Sequence, residues 1–196
     1  MKTKALGIVG SPRRGANTDT LVEQVLKGAT EAATVTEKLL LGEMNIQPCR
    51  ACNACQNTGR CIIEDDFAST LEKMKESDVW VLGTPVYWWG PTAQMKAMID
   101  RCQALWARKY VLKIPPLGDK NERKGMLVAV GAMKLPDLFE PSLAIVKSLF
   151  TVLDITYAGA LLFPGIDKKG AVAANSEALE LFNKRLDLIA HAAVGI

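Results

Sequence analysis

The sequence predicts a three-layer α/β domain in which helices cover both faces of a parallel sheet. Five short apolar segments alternate along the chain with segments whose apolar residues recur at helical spacing. Strands that alternate with helices form parallel sheets with both faces covered. The length of 196 residues suits one such domain.

The clearest unit near the amino terminus is a strand, a loop and a helix. Residues 4–10 are a short apolar run after a charged start, and residues 11–18 are rich in turn-forming and polar side chains. Leu21, Val25 and Ala29 then recur at helical spacing. The loop therefore lies at the carboxyl end of the first strand.

The later elements follow from the same patterns. The apolar run 79–83 is the clearest strand, because it stops at Gly83 and is followed by Pro85. The other predicted strands are 35–41, 124–130 and 155–162. The predicted helices after the first are 67–74, 92–105, 141–153 and 176–193, the last with Ser176 as its N-cap.

Five strands in this alternation suit a flavodoxin-like sheet of order 2-1-3-4-5. Two segments are too long to be simple connections, namely 42–66 and 107–123. Long loops in compact domains are often functional. We therefore expect a flavodoxin-like three-layer sandwich with an inserted loop at about 45–66, called the cysteine segment below.

Composition and charge exclude several classes of protein. The chain has 24 basic and 21 acidic residues, a net charge of +3 that is too weak and too scattered to predict binding to nucleic acid. No apolar run reaches the ~20 residues of a membrane-spanning helix. The first ten residues are too interrupted for a signal peptide. We expect a cytoplasmic protein with no nucleic-acid or membrane partner.

The loop after the first strand has the composition of an anion site. Gly10 and Gly15 permit tight turns, Ser11 and Thr18 add donors, and a helix N-terminus supplies positive potential. The loop is neither Gly-x-Gly-x-x-Gly nor a nucleoside-triphosphate loop. It predicts a site for one terminal phosphate group; the alternative is a polar loop with an N-cap and solvated arginines.

The loop after the third strand is aromatic. Three adjacent aromatic residues, 87–89, cannot all face a core from one loop, so some of them lie on a surface or against a ligand. A flat, partly apolar ring would be a suitable ligand. A subunit interface is the alternative, and the two can coexist.

Four of the five cysteines are clustered in the spacing Cys49-x2-Cys52-x2-Cys55-x5-Cys61. Two consecutive x2 steps wrap a chain around a compact body, as in bacterial ferredoxins, and this favours a 4Fe–4S cluster. Structural zinc more often uses two separated Cys-x2-Cys pairs. Zinc, and thiols without metal, are the alternatives.

Three motifs carry a resemblance over roughly the first two thirds of the chain. GSPR at 10–13 with Asn17-Thr18, TPVYWWG at 84–90 and MKAMIDR at 95–101 resemble the NADPH-dependent FMN reductase family. With the cysteines added, the chain is similar to the iron–sulfur flavoproteins of that family. The resemblance implies that residues 1–196 form a single FMN-binding domain.

The resemblance also implies site residues and partners. The implied phosphate ligands are Ser11, Arg13, Asn17 and Thr18. The residues implied to line the isoalloxazine ring are Pro85, Val86, Tyr87, Trp88, Trp89 and Gly90, with Gly131 and Ala132 closing the other side. NAD(P)H would bind transiently, the electron donor and acceptor would be small molecules or proteins, and the protein would be a homodimer or homotetramer.

The function implied is an FMN-containing oxidoreductase that joins a two-electron partner to a one-electron partner. The flavin carries the chemistry, so we expect no catalytic side chain. The alternatives are a cluster-free NAD(P)H-dependent FMN or quinone reductase and a non-catalytic electron carrier; a redox sensor ranks last.

Several other polar residues are expected to be structural. We expect Asp100 and Arg101 to form surface or interface pairs, and the acidic run 64–66 to cap the helix that begins at Phe67. Lys168 and Lys169 are expected in a solvated turn.

Overall fold

The computed structural model describes residues 3–31, 34–119 and 122–173, and these form a five-stranded parallel sheet of order β2-β1-β3-β4-β5. This confirms the predicted fold class. The strands are β1 (Lys4–Val9), β2 (Val35–Leu40), β3 (Val79–Pro85), β4 (Arg123–Gly131) and β5 (Ile155–Pro164). The helices are α1 (Asn17–Glu31), α2 (Cys55–Thr58), α3 (Phe67–Glu76), α4 (Ala93–Arg101), α5 (Gln103–Tyr110) and α6 (Glu140–Leu153), with a 3₁₀ turn at Leu41–Glu43.

The core has two parts, one on each face of the sheet. Alternate residues of a strand point to opposite faces, so in β1 Val9 packs towards α1 and Ile8 packs towards the other helices. Side chains of α3, α4, α5 and α6 share the second part with Ile8. The predicted helix 176–193 lies outside the described residues.

Two glycines allow helices to approach the strand ends closely. A methyl group at Gly83, in β3, would lie 2.4 Å from Cγ2 of Val22, in α1. A methyl group at Gly10 would lie 2.7 Å from Cβ of Met95, in α4. Contacts below 3 Å are excluded by sterics, so both positions require glycine. The N-termini of α1 and α4 consequently lie at the carboxyl edge of the sheet.

The predicted helix 92–105 is wrong in one respect, because it is two helices. The N–H of Cys102 bonds the carbonyl of Ile99 at 3.0 Å, the tighter pattern in which helices end. Helix α5 then starts at Gln103 and continues to Tyr110, into the segment predicted as a loop. No glycine or proline marks this break, so periodicity alone does not reveal it.

Among the helices described, none has both the length and the apolar character needed to cross a membrane.

Candidate cofactor sites at the carboxyl edge of the sheet

Loops that follow four strands meet in one pocket, called the edge pocket below. Its lining residues are Ser11, Arg13, Ala16, Asn17, Thr18, Pro85, Val86, Tyr87, Val130, Ala132, Ile166 and Asp167. The structure thus brings the four predicted phosphate ligands of the first loop together with residues 85–87 and Ala132, which are predicted to line the flavin ring. Trp88, Trp89, Gly90 and Gly131 do not line it. Ile166 and Asp167 follow β5, and no sequence motif marked them.

Internal hydrogen bonds hold the loop between β1 and α1 in shape. The hydroxyl of Ser11 accepts a bond from the N–H of Arg13 at 3.2 Å. Gly15 turns the chain with φ +64°, and its N–H donates to the buried carboxylate of Asp19 at 2.7 Å. Lys38 pairs with that same carboxylate at 2.7 Å. These partners offset the negative charge of Asp19, and the N-terminus of α1 adds positive potential beside the loop.

The side chain of Asn17 is occupied by the chain itself. Its amide nitrogen donates to the carbonyl of Lys168 at 2.8 Å, and its oxygen accepts from the N–H of Val172 at 3.1 Å. Asn17 therefore fastens the segment after β5 to the start of α1. What it offers the edge pocket is its place in the first helical turn, whose N–H groups have no acceptor within the helix.

Lys168 and Lys169 lie exposed in a turn, as predicted, and this turn also contacts the first loop. The ammonium of Lys169 donates to the carbonyl of Arg14 at 3.0 Å. It also lies 3.9 Å from where a methyl group on Gly15 would stand. Although both lysines are exposed, they adjoin the first loop because β5 delivers its carboxyl end to the same sheet edge as β1.

The aromatic loop is a tight hairpin. Tyr87 and Gly90 exchange two backbone hydrogen bonds of 2.9 and 3.0 Å, and the two residues between them have positive φ, 52° at Trp88 and 63° at Trp89. Left-handed backbone costs a residue other than glycine about 1–3 kcal/mol. Trp88 is 98% exposed. The surrounding structure thus maintains a strained turn that presents a tryptophan to solvent.

The last residue of β4, Gly131, has to be glycine because of close packing. A methyl group at Gly131 would lie 2.4 Å from Cδ2 of Leu138. The segment before α6 therefore folds closely over the end of β4, and this leaves Ala132 at the edge pocket.

Thr92 joins α4 to the ends of β1 and β3. Its hydroxyl donates to the carbonyl of Gly10 at 2.6 Å and accepts from the N–H of Met95, and its own N–H donates to the hydroxyl of Thr84 at 3.1 Å. Thr92 is fully buried. It caps α4 while fixing the ends of β1 and β3 relative to each other. A threonine before an amphipathic run signals the cap, but not these long-range bonds.

The four clustered cysteines lie close to one another. Burial raises the pKa of the Cys55 thiol, and the nearby Cys61, Cys49 and Cys52 raise it further. All four thiols are free, with Cys49 and Cys52 exposed and the other two half-buried.

The backbone of the cysteine segment suits an anionic group. Ala51 and Asn53 have positive φ, of 52° and 59°, and Asn53 is followed by right-handed Ala54. Such left- and right-handed pairs turn successive N–H groups towards one side and form concavities that hold anions, iron–sulfur sites among them. The N–H of Ala51 already donates to the sulfur of Cys49 at 3.5 Å.

In the described residues, the side chains do not by themselves form a metal site. Within the described ranges, no three His, Cys, Asp or Glu side chains converge as ligands of one ion. In a four-iron cluster each thiolate binds a different iron, so its ligands surround a wide body and need not converge on a point. The preference for a cluster over zinc therefore rests on the spacing Cys49-x2-Cys52-x2-Cys55-x5-Cys61.

A buried ion pair fastens both ends of the cysteine segment. Arg101 donates from Nη1 to Asp65 at 2.6 Å and to the carbonyl of Gln47 at 3.0 Å, and from Nη2 to Asp65 and to the carbonyl of Ile63, both at 3.1 Å. The side chains of Arg101 and Asp65 are 1% and 0% exposed. The expectation of a surface pair is wrong for Arg101, because it lies three residues after buried Met98, on the face of α4 that packs into the core.

The other acidic residues behave as predicted. Asp65 also accepts the N–H of Phe67 at 3.1 Å, which confirms a cap from the run 64–66. Asp100 forms an exposed pair with Lys96 at 2.8 Å.

Burial and bonding have opposite effects on the pKa values of the ion pair. Burial alone raises the pKa of Asp65, but the hydrogen bonds from Arg101, Gln47 and Phe67 outweigh it and lower that pKa. Burial alone lowers the pKa of Arg101, while Asp65 and Cys61 outweigh it and raise that pKa. Cys102, by contrast, is fully buried and donates its S–H to the carbonyl of Met98 at 3.5 Å. Burial, with the charge of Asp100, raises its pKa to about 12, so it remains a thiol.

Comparison with known proteins places these features in a family. Residues 3–135 match the sequence profile described as NADPH-dependent FMN reductase. An iron–sulfur flavoprotein of Methanocaldococcus jannaschii is 43% identical over 102 residues, which are 52% of this chain and 53% of that protein. The chain thus spans about half the length of this relative.

Two further similarities extend over more of the chain. An iron–sulfur flavoprotein of Archaeoglobus fulgidus is 29% identical over 187 residues, 93% of this chain and 81% of that protein. The crystal structure of RosB, bound to 8-demethyl-8-formylriboflavin-5′-phosphate, superposes with a TM-score of 0.74 at 18% identity, over 97% of this chain and 79% of that one. This structural likeness shows the fold.

Replacing Asp65 with Asn tests the ion pair. Removing one partner of a buried pair leaves the other charge uncompensated, so we expect Asp65→Asn to lower the free energy of unfolding by about 3 kcal/mol at pH 7. The pKa of Asp65 is lower in the folded protein than in the unfolded chain. The ionised carboxylate therefore stabilises the folded state fully at pH values above the unfolded pKa of about 3.9. This stabilisation is lost as the pH falls through the lower, folded pKa. The free energies of unfolding of the wild-type protein and of Asp65→Asn should therefore become equal at that pH.

The measurement is urea unfolding of both proteins at pH 7 and at successively lower pH. Asp100→Asn is the control, since an exposed pair contributes under about 0.5 kcal/mol. A loss for Asp65→Asn no larger than that of the control would contradict the role given to the pair.

Proposed function

Because this chain belongs to the NADPH-dependent FMN reductase family, we propose that it is an FMN-containing oxidoreductase of the iron–sulfur flavoprotein type. It passes electrons between a two-electron partner and a one-electron partner, each a small molecule or a protein. The observation that carries the proposal is the edge pocket, which joins an anion-binding loop to the start of an aromatic loop.

The FMN phosphate lies, in this proposal, against the loop after β1. Ser11, Arg13, Asn17 and Thr18 line the edge pocket together, and the N-terminus of α1 adds positive potential there. One such loop accommodates a single phosphate group. This matches a flavin mononucleotide, which ends in a monophosphate.

The flavin ring lies between the loops after β3 and β4. Pro85, Val86 and Tyr87 form one wall and Ala132 the other, with Gly131 placing Ala132 there. The hairpin projects beyond the edge pocket. We assign Trp88, Trp89 and Gly90 to the outer end of the flavin ring. We also assign this hairpin to a subunit contact of a homodimer or homotetramer. Exposed tryptophans are typical of subunit contacts, and Trp88 is 98% exposed.

The 4Fe–4S cluster is assigned to Cys49, Cys52, Cys55 and Cys61. Their spacing in the sequence and the anion-binding backbone beside them support the assignment. FMN exchanges two electrons as hydride and can release them singly, whereas a cluster exchanges one at a time. The chain enters the cysteine segment beside the FMN loop. A methyl group at Gly42, three residues before the segment, would lie 3.1 Å from the carbonyl oxygen of Ser11.

No catalytic side chain is assigned, because the chain's part is to hold and orient the cofactors. NAD(P)H is the proposed transient electron donor, and it binds over the exposed part of the flavin. We assign the protein to the cytoplasm, because clustered cysteines that bind a metal or cluster are typical of a reducing compartment.

Replacing Arg13 with Ala tests the phosphate assignment. Arg13 lines the edge pocket, and a hydrogen bond to a charged group contributes about 1.5–3 kcal/mol. We therefore expect Arg13→Ala to raise the Kd for FMN about 10- to 100-fold, while the Kd for riboflavin, which lacks the phosphate, stays unchanged. Fluorescence titration of apoprotein with each flavin measures both constants.

Arg14→Ala is the matched control for that titration. Arg14 is the next residue, but its side chain is 77% exposed and pairs with Glu43, so its removal should leave both constants unchanged. An equal loss of FMN and riboflavin affinity in Arg13→Ala would overturn the phosphate assignment.

Anaerobic reduction separates an enzyme from a non-catalytic electron carrier. We expect NADPH or NADH to bleach the flavin absorbance of the FMN-loaded protein, because family membership implies a nicotinamide donor. Dithionite is the control that shows the flavin to be reducible. Reduction by dithionite, with no reduction by either nicotinamide, would favour the carrier.

A further inference from the structure

We propose that Arg101 positions the cysteine segment and donates a hydrogen bond from Nε to the sulfur of Cys61, thereby raising the reduction potential of the cluster. The proposal rests on the assignment of the cluster to the four cysteines. Arg101 acts through Cys61 and the segment, so it is a positioning residue.

The first observation is an unused donor. The two Nη atoms of Arg101 make the four bonds that hold Asp65, Gln47 and Ile63. The Nε–H is buried and has no hydrogen-bond acceptor among the described residues. A buried N–H without an acceptor costs about 1–3 kcal/mol. An acceptor supplied together with the cluster would remove that cost.

The second observation is the position of Cys61. Cys61 and Arg101 line the same cavity, together with Ile63 and Phe67. Cys61 lies two residues before Ile63, whose carbonyl accepts from Nη2 of Arg101 at 3.1 Å. Cys61 is therefore an acceptor close to the guanidinium, and it becomes a thiolate when it binds iron.

The guanidinium is rigid enough to hold this bond in one geometry. Asp65 binds both Nη atoms, and the ring of Phe67 lies 4.8 Å from the guanidinium carbon. Gln47 precedes the four cysteines, and Ile63 and Asp65 follow them. The contacts of these three residues with Arg101 therefore hold the segment against α4. A fixed donor is already oriented when the cluster is present.

The direction of the effect follows from charge. Reduction adds an electron to the cluster, and a positive charge and an N–H donor both stabilise the added charge. An arginine stays protonated in proteins, so the effect persists across the working pH range. Removing the guanidinium should therefore shift the potential to more negative values.

The experiment must separate this effect from simple fastening of the segment. Arg101→Gln removes the charge and the Nε–H. Asp65→Asn weakens the fastening but leaves the Nε–H and removes a nearby negative charge. The proposal predicts opposite results: a more negative potential for Arg101→Gln, and an unchanged or more positive one for Asp65→Asn. A role in fastening alone predicts shifts of the same sign.

Each holoprotein is purified anaerobically, its iron and sulfide are measured, and its cluster is titrated by EPR against potential. Lys96→Gln, which removes another cation of α4 that pairs with exposed Asp100, should keep the wild-type potential. Arg101→Lys keeps the charge without the Nε–H, and we expect a smaller negative shift; this variant is decisive if Arg101→Gln loses its iron.

A wild-type potential in Arg101→Gln with full iron would overturn the proposal. So would shifts of one sign in both Arg101→Gln and Asp65→Asn, or a wild-type potential in Arg101→Lys when Arg101→Gln holds no iron. Wild-type protein without iron would instead overturn the cluster assignment itself.

Discussion

The common direction of the five strands is the constraint on which both candidate sites depend. Parallel strands deliver their carboxyl ends to one edge, so loops far apart in sequence meet there. The loops after β1, β3, β4 and β5 all contribute to the edge pocket. Close packing at Gly10 and Gly83 then brings the N-termini of α1 and α4 to this edge. The pocket is a result of topology before it is a result of any one side chain.

Helix α4 connects the two sites. At its N-terminus, Thr92 bonds Gly10 and Thr84, each next to a residue that lines the edge pocket, and at its last residue Arg101 holds the cysteine segment. Nine residues of helix span only about 14 Å. Both contacts are buried. Helix α4 would therefore hold the proposed flavin and cluster sites at a fixed separation.

The sequence predicts the sheet and much of the edge pocket, because strand periodicity, strand order and the position of loops at strand ends are local or topological properties. Strained backbone, long-range bonds and burial are not local. Hence the sequence does not show that the Asn17 amide donates a hydrogen bond to the carbonyl of Lys168, that Trp88 projects from a left-handed turn, or that Arg101 is buried. The helix break at Cys102 is likewise unmarked by glycine or proline.

The content of the protein is the most direct test of the account. Protein purified without exposure to oxygen, in which flavin, iron and sulfide are measured on the same sample, should contain one FMN and about four irons per chain. Flavin without iron after such handling would contradict the cluster and favour a cluster-free reductase. A colourless protein that does not bind added FMN would contradict the account as a whole.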